Sequence, residues 1–258
     1  MKTSKNNFKP DRKNPLVSII TVVLNGEKQI DRTIQSVINQ TYDNLEYIII
    51  DGGSTDKTID IIDKYKNAID CLICEKDNGL YDAMNKGTNI AKGEWINFMN
   101  AGDEFYNNTV LMNLFNNQNH QEAKIIYGNH EIIYSTGRHR FVKAGMIKNL
   151  WKGEQFSHQA SFVKKSYLEI NKFNHNKKIA ADFELYYKAF QNYTKFKFMN
   201  LTIAKFESGG VSDVKRINSI LERWGIVENT LKNNMYYCML LIKEFIKIII
   251  KRFVKKYN

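Results

Sequence analysis

Cysteine is scarce in this chain. Three occur in 258 residues, Cys71, Cys74 and Cys238, an odd number that builds no disulfide framework, and Cys71-x-x-Cys74 lacks the second ligand pair a zinc module needs. A reduced compartment follows as the expectation. The alternation in Asp70-Cys71-Leu72-Ile73-Cys74-Glu75 makes the paired thiols buried structural groups on a strand. Uninterrupted apolar runs are missing as well, since charges break each one, and this excludes a polytopic membrane protein. No segment repeats at a fixed period, which excludes solenoids and propellers. Residues 1–14 are polar and basic with no apolar core, so they read as a loose arm and not as a secretory leader.

What is present in excess is positive charge. Thirty-eight Lys and Arg against 27 Asp and Glu give a net charge of +11 and a pI near 9.3. Such a balance favours nucleotides, nucleic acid or an acidic membrane surface without choosing among them. At 43% hydrophobic and 12% aromatic residues the chain can fill a core, and its length suits one domain, or one domain with an appendage.

From Leu16 onward strand and helix patterns alternate, which predicts an α/β fold with a mostly parallel sheet covered on both faces. Strands are expected at Leu16–Leu24, Leu45–Ile50, Cys71–Cys74 and Trp95–Met99, with helices at Glu27–Gln40, Thr55–Lys66 and Tyr81–Ala91. After Asp103 the rhythm changes. A short helix at Val110–Phe115 precedes strand-like segments at Lys124–Tyr134 and Arg138–Ala144, then a helix at Asp182–Gln191 and strands within Phe196–Phe206. The second half is therefore mixed, the kind that supplies an acceptor site.

Two strand ends carry chemistry. In Asp51-Gly52-Gly53-Ser54-Thr55-Asp56 the glycines let backbone approach a ligand, Ser54 is placed to cap the next helix, and Asp51 can accept hydrogen bonds from a base or ribose. The turn is neither GxGxxG nor GxxxxGK[ST], which argues against a dinucleotide enzyme and a P-loop NTPase. The stretch EKDNGLYDAMNKGTNIAKGEWINFMNAGDEF then packs a turn, a helix and a buried strand into one unit. That unit delivers Asp103 to the strand end, the edge where open α/β sheets bind ligands.

Several ordered motifs, VSIITVVLNGEKQIDRTIQSVINQTYDNLEYIIIDGGSTDKT, DNGLYDAMNKG, KGEWINFMNAGD, HQASFVKKS and AADFELYYKAF, together resemble family-two glycosyltransferases of the GT-A fold, in particular the bacterial surface-polysaccharide branch. The resemblance covers most of residues 16–206 and implies an inverting transfer from a nucleotide-diphosphate sugar, UDP-linked, to a glycan or lipid-linked acceptor. It implies that Thr21, Asn25, Glu27 and Asp51 meet the nucleotide and that Asp82 helps close its pocket. The family's Asp-x-Asp-Asp motif is replaced by Asn100-Ala101-Gly102-Asp103, leaving Asp103 as the acid for Mg²⁺ or Mn²⁺. One carboxylate with phosphate oxygens and waters is a workable site for either ion. Asp182 stands where the family places its base. Its usual Glu neighbour is Ala181, and Glu184 is the second candidate acid. Capping the helix that follows is the structural alternative for Asp182. His158 could touch acceptor, diphosphate or metal, or be structural; the other histidines show no ligand spacing.

Residues 15–210 then form the GT-A domain and 211–258 a C-terminal helical extension. In its tail Met239, Leu240, Leu241, Ile242, Phe245, Ile246, Ile248, Ile249, Ile250, Phe253 and Val254 make a broad apolar surface, with Lys243, Lys247, Lys251, Arg252, Lys255 and Lys256 around it. This suits a helix lying in an anionic membrane interface, and a cytoplasmic enzyme at the inner face of the membrane. Packing on the catalytic domain, or on a second subunit as a homo-oligomer, stays open. A non-catalytic nucleotide- or nucleic-acid-binding protein is the alternative that the charge raises, but no recognition helix or stacking signature supports nucleic acid as a partner. A nucleotidyltransferase would need a Gly-rich triphosphate loop that Leu24-Asn25-Gly26-Glu27-Lys28-Gln29-Ile30 does not provide.

Overall fold

The computed structural model describes residues 14–257; residues 1–13, most of the expected basic arm, lie outside that description. In chain order the first half runs β1 (Val17–Val23), α1 (Ile30–Ile38), β2 (Leu45–Asp51), α2 (Thr58–Asp63), β3 (Cys71–Cys74), α3 (Leu80–Ile90), β4 (Trp95–Phe98), β5 (Asp103–Phe105) and α4 (Val110–Phe115). The second half continues with β6 (Ile125–Ile133), β7 (His139–Val142), β8 (Ser161–Lys164), α5 (Lys165–Leu168), α6 (Ala181–Gln191), β9 (Phe196–Glu207), α7 (Val211–Val214), α8 (Arg216–Trp224) and α9 (Leu231–Tyr257). All strands join one sheet in the order β3-β2-β1-β4-β8-β6-β9-β5, with β7 paired to β6.

The sheet changes character where the sequence rhythm does. β3, β2, β1 and β4 pair in parallel, whereas β8 runs antiparallel to β4 and β6, and β5 antiparallel to β9. β1 and β2 read as continuous apolar runs because both their faces are covered. Period-two alternation sends Val17, Ile19 and Val23 with Tyr47 and Ile49 into one core, against Ile30 and Ile34 of α1 and Ile62 of α2. The other residues, Ile20, Val22, Ile48 and Ile50, enter a second core with Met84 of α3, Phe183 of α6, Ile220 of α8 and Tyr237 of α9. The sheet is thus sandwiched, and the C-terminal helices belong to one of its two covering layers.

Several expected boundaries move. The helices expected at Glu27–Gln40 and Thr55–Lys66 shorten to Ile30–Ile38 and Thr58–Asp63, because their opening residues are spent on loop-to-loop hydrogen bonds. Ser54 does not cap α2; Asp56 Oδ1 accepts the Thr58 N–H at 3.0 Å instead. Strand β3 lies at the sheet edge, so Cys74 is exposed and Cys71 half-buried, and the expectation of buried thiols fails there; Cys238, on α9, is exposed as well.

Candidate active site

Two loops at the C-terminal ends of β1 and β2 are laced together. Asn25, at φ +52°, accepts the Thr55 N–H on its Oδ1 at 2.9 Å, while its own N–H donates to Ser54 Oγ at 2.8 Å. Next, the Gly26 N–H donates to Thr58 Oγ1 at 2.8 Å, and the Glu27 carboxylate accepts the Lys57 N–H at 3.2 Å. Asp51 Oδ1 accepts the Gly53 and Ser54 N–H groups at 3.0 and 2.8 Å, which shapes the turn. Its other oxygen, Oδ2, is buried with no partner among the described residues. An orphaned carboxylate oxygen is costly, and a ligand donor would relieve it. Thr21 is placed differently from a ligand contact: it is fully buried and its hydroxyl donates to the Met99 carbonyl at 2.7 Å, tying β1 to the end of β4. Asp82 sits in the first turn of α3, where it accepts the Asn78 N–H at 3.0 Å and lies 3.7 Å from Lys86 Nζ.

Beyond β4 the chain makes a tight turn through Asn100-Ala101-Gly102, with Gly102 at φ +102°, and Asp103 opens β5. That φ is the left-handed region open to glycine at no steric cost. Thr33 of α1 clamps the turn: its hydroxyl donates to the Asp103 carbonyl at 2.8 Å and accepts the Gly102 N–H at 2.9 Å. Gln159 Nε2 donates to Asp103 Oδ2 at 3.1 Å. Burial nonetheless pushes the Asp103 carboxyl up to about 6, against the opposing pull of His158, Gln159 and Arg32.

The third part of the site comes from the second half of the chain. A 3-10 turn at His158–Ala160 is held by Asn97, whose amide donates to the Gln159 and Ser161 carbonyls at 2.9 and 2.8 Å. It presents His158 between two groups, with Nδ1 3.1 Å from Asp182 Oδ2 and Nε2 3.1 Å from Asn100 Nδ2. Asp182 is in the first turn of α6, and its Oδ1 accepts the Phe183 N–H at 2.8 Å and lies 3.1 Å from the Tyr81 hydroxyl. Burial works to raise the Asp182 carboxyl, but the hydrogen bond and charge of His158, helped by Phe183 and Tyr81, outweigh it and hold it below the usual carboxylate range. For His158 burial favours the neutral ring, yet the Asp182 hydrogen bond and charge win and raise it.

Two expectations are corrected here. Helix α6 has Ala180 at its N-cap, so Asp182 is the second residue of the helix and the capping alternative does not apply. Glu184 faces away, engaged with Lys188 at 2.8 Å and Asn174 at 3.1 Å. The carboxylate that feels Asp182 is Glu154, raised by desolvation and then by the Asp182 charge, with Arg223 at 3.6 Å opposing. Sequence reasoning missed Glu154, Tyr81, Asn97, Asn100 and Gln159. Only the placement of Asn100 at an acid position and of Gln159 beside His158 hinted at their roles.

Oxygen donors for a divalent ion are limited. Among the described residues no group of three or more His, Cys, Asp or Glu side chains could hold a metal. The Asp103 carboxylate, uneasy in its charged form, and Asn100 Oδ1, buried with no partner, nevertheless fit an ion that takes its remaining ligands from phosphates and water.

The mixed sheet, parallel from β3 through β4 and covered by helices on both faces, is the GT-A fold. The chain belongs to glycosyl transferase family 2, whose profile matches residues 18–199, and is a glycosyltransferase. It is 30% identical over 217 residues to a PGL/p-HBAD biosynthesis glycosyltransferase of Mycobacterium bovis, covering 81% of this chain and 84% of that one. Over 120 residues it is 38% identical to the Escherichia coli UDP-Glc:alpha-D-GlcNAc-diphosphoundecaprenol beta-1,3-glucosyltransferase WfaP, covering 45% and 47% of the two chains. Among solved structures, S. aureus TarS in complex with UDP superposes with a TM-score of 0.62 at 18% identity, over 89% of this chain and 71% of that one. The mannosyltransferase PcManGT of Pyrobaculum calidifontis, in complex with GDP-Man and Mn²⁺, gives 0.64 at 15% identity, over 85% and 66%. At these identities the structural likeness shows the fold.

Proposed function

We propose that the protein transfers a sugar from a nucleoside-diphosphate donor, UDP-linked, to a glycan or lipid-linked acceptor in bacterial surface-polysaccharide synthesis, with inversion at the anomeric carbon. The observation that carries this reading is the chain of contacts Asp182–His158–Asn100, with Gln159 bonded to Asp103, which joins a base-side and a phosphate-side carboxylate in one cluster at the sheet edge. UDP is favoured by the sequence resemblance and by the ligand of TarS.

In this reading the nucleotide lies against the laced loops. Asp51 Oδ2 accepts a hydrogen bond from it, Asn25 and Glu27 hold the wall, Thr21 braces the strand ends, and Asp82 closes the far side. Asp103 and the Asn100 amide oxygen would hold Mg²⁺ or Mn²⁺, which would neutralise diphosphate charge on the leaving side. Asp182 is ionised through the neutral range. It takes the proton from the acceptor hydroxyl as that oxygen bonds to the anomeric carbon and the bond to the diphosphate oxygen breaks. The His158 ring N–H on Oδ2 fixes which carboxylate oxygen stays free for the acceptor. The tail of α9 meets an anionic membrane surface at the inner face of the cell membrane, where a lipid-linked acceptor would be presented.

The test is a panel of nucleotide sugars against the purified protein, with Mn²⁺ or with chelator, read by thermal shift. A donor that stabilises only with Mn²⁺, and is turned over with a lipid-linked acceptor, supports the reading. A protein whose melting no nucleotide diphosphate moves is not a transferase of this kind.

A further inference from the structure

Residues 153–157 lead from the 3-10 turn at Ile147–Lys152 into His158 and carry one acid, Glu154. Its carboxylate is open to solvent, with the side chain 38% exposed against 11% for Asp182. Behind it stands Arg223 of α8, nine-tenths buried, whose Nη1 is 3.6 Å from Glu154 Oε1. That separation makes an ion pair but is too long for a hydrogen bond. Among the described residues Arg223 makes one hydrogen bond, from Nε to the Ser219 carbonyl at 3.2 Å, and Glu154 makes none. Gly153, at φ +120°, supplies the turn that sets the acid over the guanidinium, a backbone region that other residues rarely adopt.

Three contacts place this pair beside Asp182. His158, where the segment ends, has Nδ1 3.1 Å from Asp182 Oδ2. Phe156, midway along it, packs on Tyr186, one turn after Asp182 on α6, with ring centroids 4.8 Å apart. From the other direction Glu222, the residue before Arg223 on α8, accepts the Ala180 N–H at 3.0 Å, two residues before Asp182. The side of the base is fixed as well. His158 Nε2 meets Asn100 and Gln159 bonds Asp103, so the metal turn lies beyond His158, whereas residues 153–157 run from His158 the other way, along α6 to α8. Glu154 and Arg223 therefore flank Asp182 on the side away from the donor's phosphates.

We propose that Glu154 and Arg223 determine acceptor specificity, by binding the hydroxyls next to the reacting one on an uncharged sugar ring. Glu154 accepts hydrogen bonds from those hydroxyls and Arg223 donates to them. The inference rests on the transfer reading and deepens it by assigning the residues that read the acceptor ring. The chemistry of the pair selects the ligand. A carboxylate only accepts and a guanidinium only donates, and at their separation each keeps bonding capacity unused. A hydroxyl does both, so a sugar edge satisfies the two groups together. An acidic ring would set its carboxylate against Glu154, and an amino sugar its ammonium against Arg223.

The probes are octyl β-glycosides of glucose, galactose and N-acetylglucosamine, which are uncharged, with those of glucuronic acid and glucosamine as the anionic and cationic counterparts. Each is offered to the full-length protein with Mn²⁺ and the nucleotide sugar that the thermal-shift panel selects, and release of the nucleoside diphosphate is followed. The expected result is turnover of at least one uncharged glycoside, with kcat/KM at least about tenfold above both charged ones. Glu154→Ala should raise the KM for that glycoside at least about tenfold, as loss of hydrogen bonds to a charged group requires, and Glu154→Gln, which keeps one accepting oxygen, should fall between. Melting and UDP affinity should stay near wild type in both, since Glu154 is exposed and bonds none of the laced loops. An acceptor KM that Glu154→Ala does not move, preference for a charged glycoside, or a loss confined to kcat would overturn the proposal. So would a wild type that binds UDP and accepts none of the five. Failure of the transfer reading shows separately, as a wild type whose melting no nucleotide sugar moves.

Discussion

At the scale of single residues, charge state decides the site. Asp182→Asn keeps the shape but cannot take a proton, so transfer should fall at least about a hundredfold while UDP affinity holds, measured by turnover and calorimetry. Transfer near the wild-type rate would move the base elsewhere, and Glu154, not Glu184, would be next to test. Asp103 makes the opposite kind of prediction. Its folded carboxyl titrates near 6, above the ordinary 3.8, so the folded state binds the extra proton between those values and this group's contribution to stability falls as pH rises through that window. In chelator Asp103→Asn should therefore be more stable than wild type at pH 8, by an amount on the order of 2–3 kcal/mol at most, and the gap should narrow as pH falls through that window and close below about 4. The same variant should lose Mn²⁺-dependent UDP binding. A melting gap that does not change with pH would remove the assignment. The His158–Asp182 pair has its own window. Asp182 contributes stability above its ordinary range, lost as pH falls through its lowered folded value, and His158 contributes below its ordinary 6.5, lost as pH rises through its raised one. Asp51 and Asp103 were legible as candidates because acids at strand ends stand out in sequence, and Asp182 through the family resemblance. The amides of Asn97, Asn100 and Gln159 were not, since their roles depend on contacts across more than fifty residues.

At the scale of elements, what matters is how α6 is aimed. Three successive backbone N–H groups leading into it, those of Lys178, Ile179 and Ala180, donate to the Glu222 carboxylate of α8 at 3.1, 3.0 and 3.0 Å. An anion placed there also suits the positive end of the helix. Glu222→Ala should cost about 2–3 kcal/mol of stability and lower turnover at saturating donor while leaving UDP affinity unchanged, because Glu222 bonds the segment leading into α6 and none of the laced loops. Equal loss of UDP affinity and turnover would mean that the substitution acts by general unfolding. The alternation of strands and helices up to β4 was readable, since buried parallel strands are continuous apolar runs. Helix starts were not. Sequence pattern cannot show that Asn25 and Glu27 accept N–H groups of the facing loop, and that Asp56 Oδ2 accepts the Glu27 N–H at 3.1 Å, lacing two loops and so delaying α1 and α2. The second half was harder again, because β8 inserts between β4 and β6 and pairs with neither of its sequence neighbours β7 and β9.

At the scale of the whole molecule, α9 does two things along one helix. Its first turns are part of the fold: Tyr237 is fully buried and stacks on Trp224 at 6.2 Å, and Asn234 accepts the Trp224 indole N–H at 2.8 Å. From Ile242 onward, Ile242, Phe245, Ile246, Ile249, Ile250 and Phe253 are exposed. No helix among the described residues is long and apolar enough to cross a membrane. The sequence pattern showed one apolar, basic tail and left packing and membrane contact as alternatives, because it could not show which part of the stripe meets α8. A second copy is a poor cover for the exposed part. The residues from Leu231 to Tyr257 carry seven Lys and Arg but one acid, Glu244, so a paired helix would set like charge against like. The side chains of Lys251, Arg252, Val254, Lys255 and Lys256, which the tail reading used, lie outside the described ones. Where the chain is cut should therefore decide the outcome. Removal of everything after Asn234 takes Tyr237 out of the core and should destabilise by about 3–5 kcal/mol, as loss of a buried aromatic does. Removal after Ile242 keeps that packing, and should leave melting and UDP affinity near wild type while binding to anionic liposomes drops. The wild type's advantage on the vesicles should shrink at high salt, since screening weakens the lysine contribution. Equal liposome binding by the full chain and the chain ending at Ile242 would reject the membrane reading, and a concentration-dependent loss of a dimer on the same cut would put a second copy on the stripe instead.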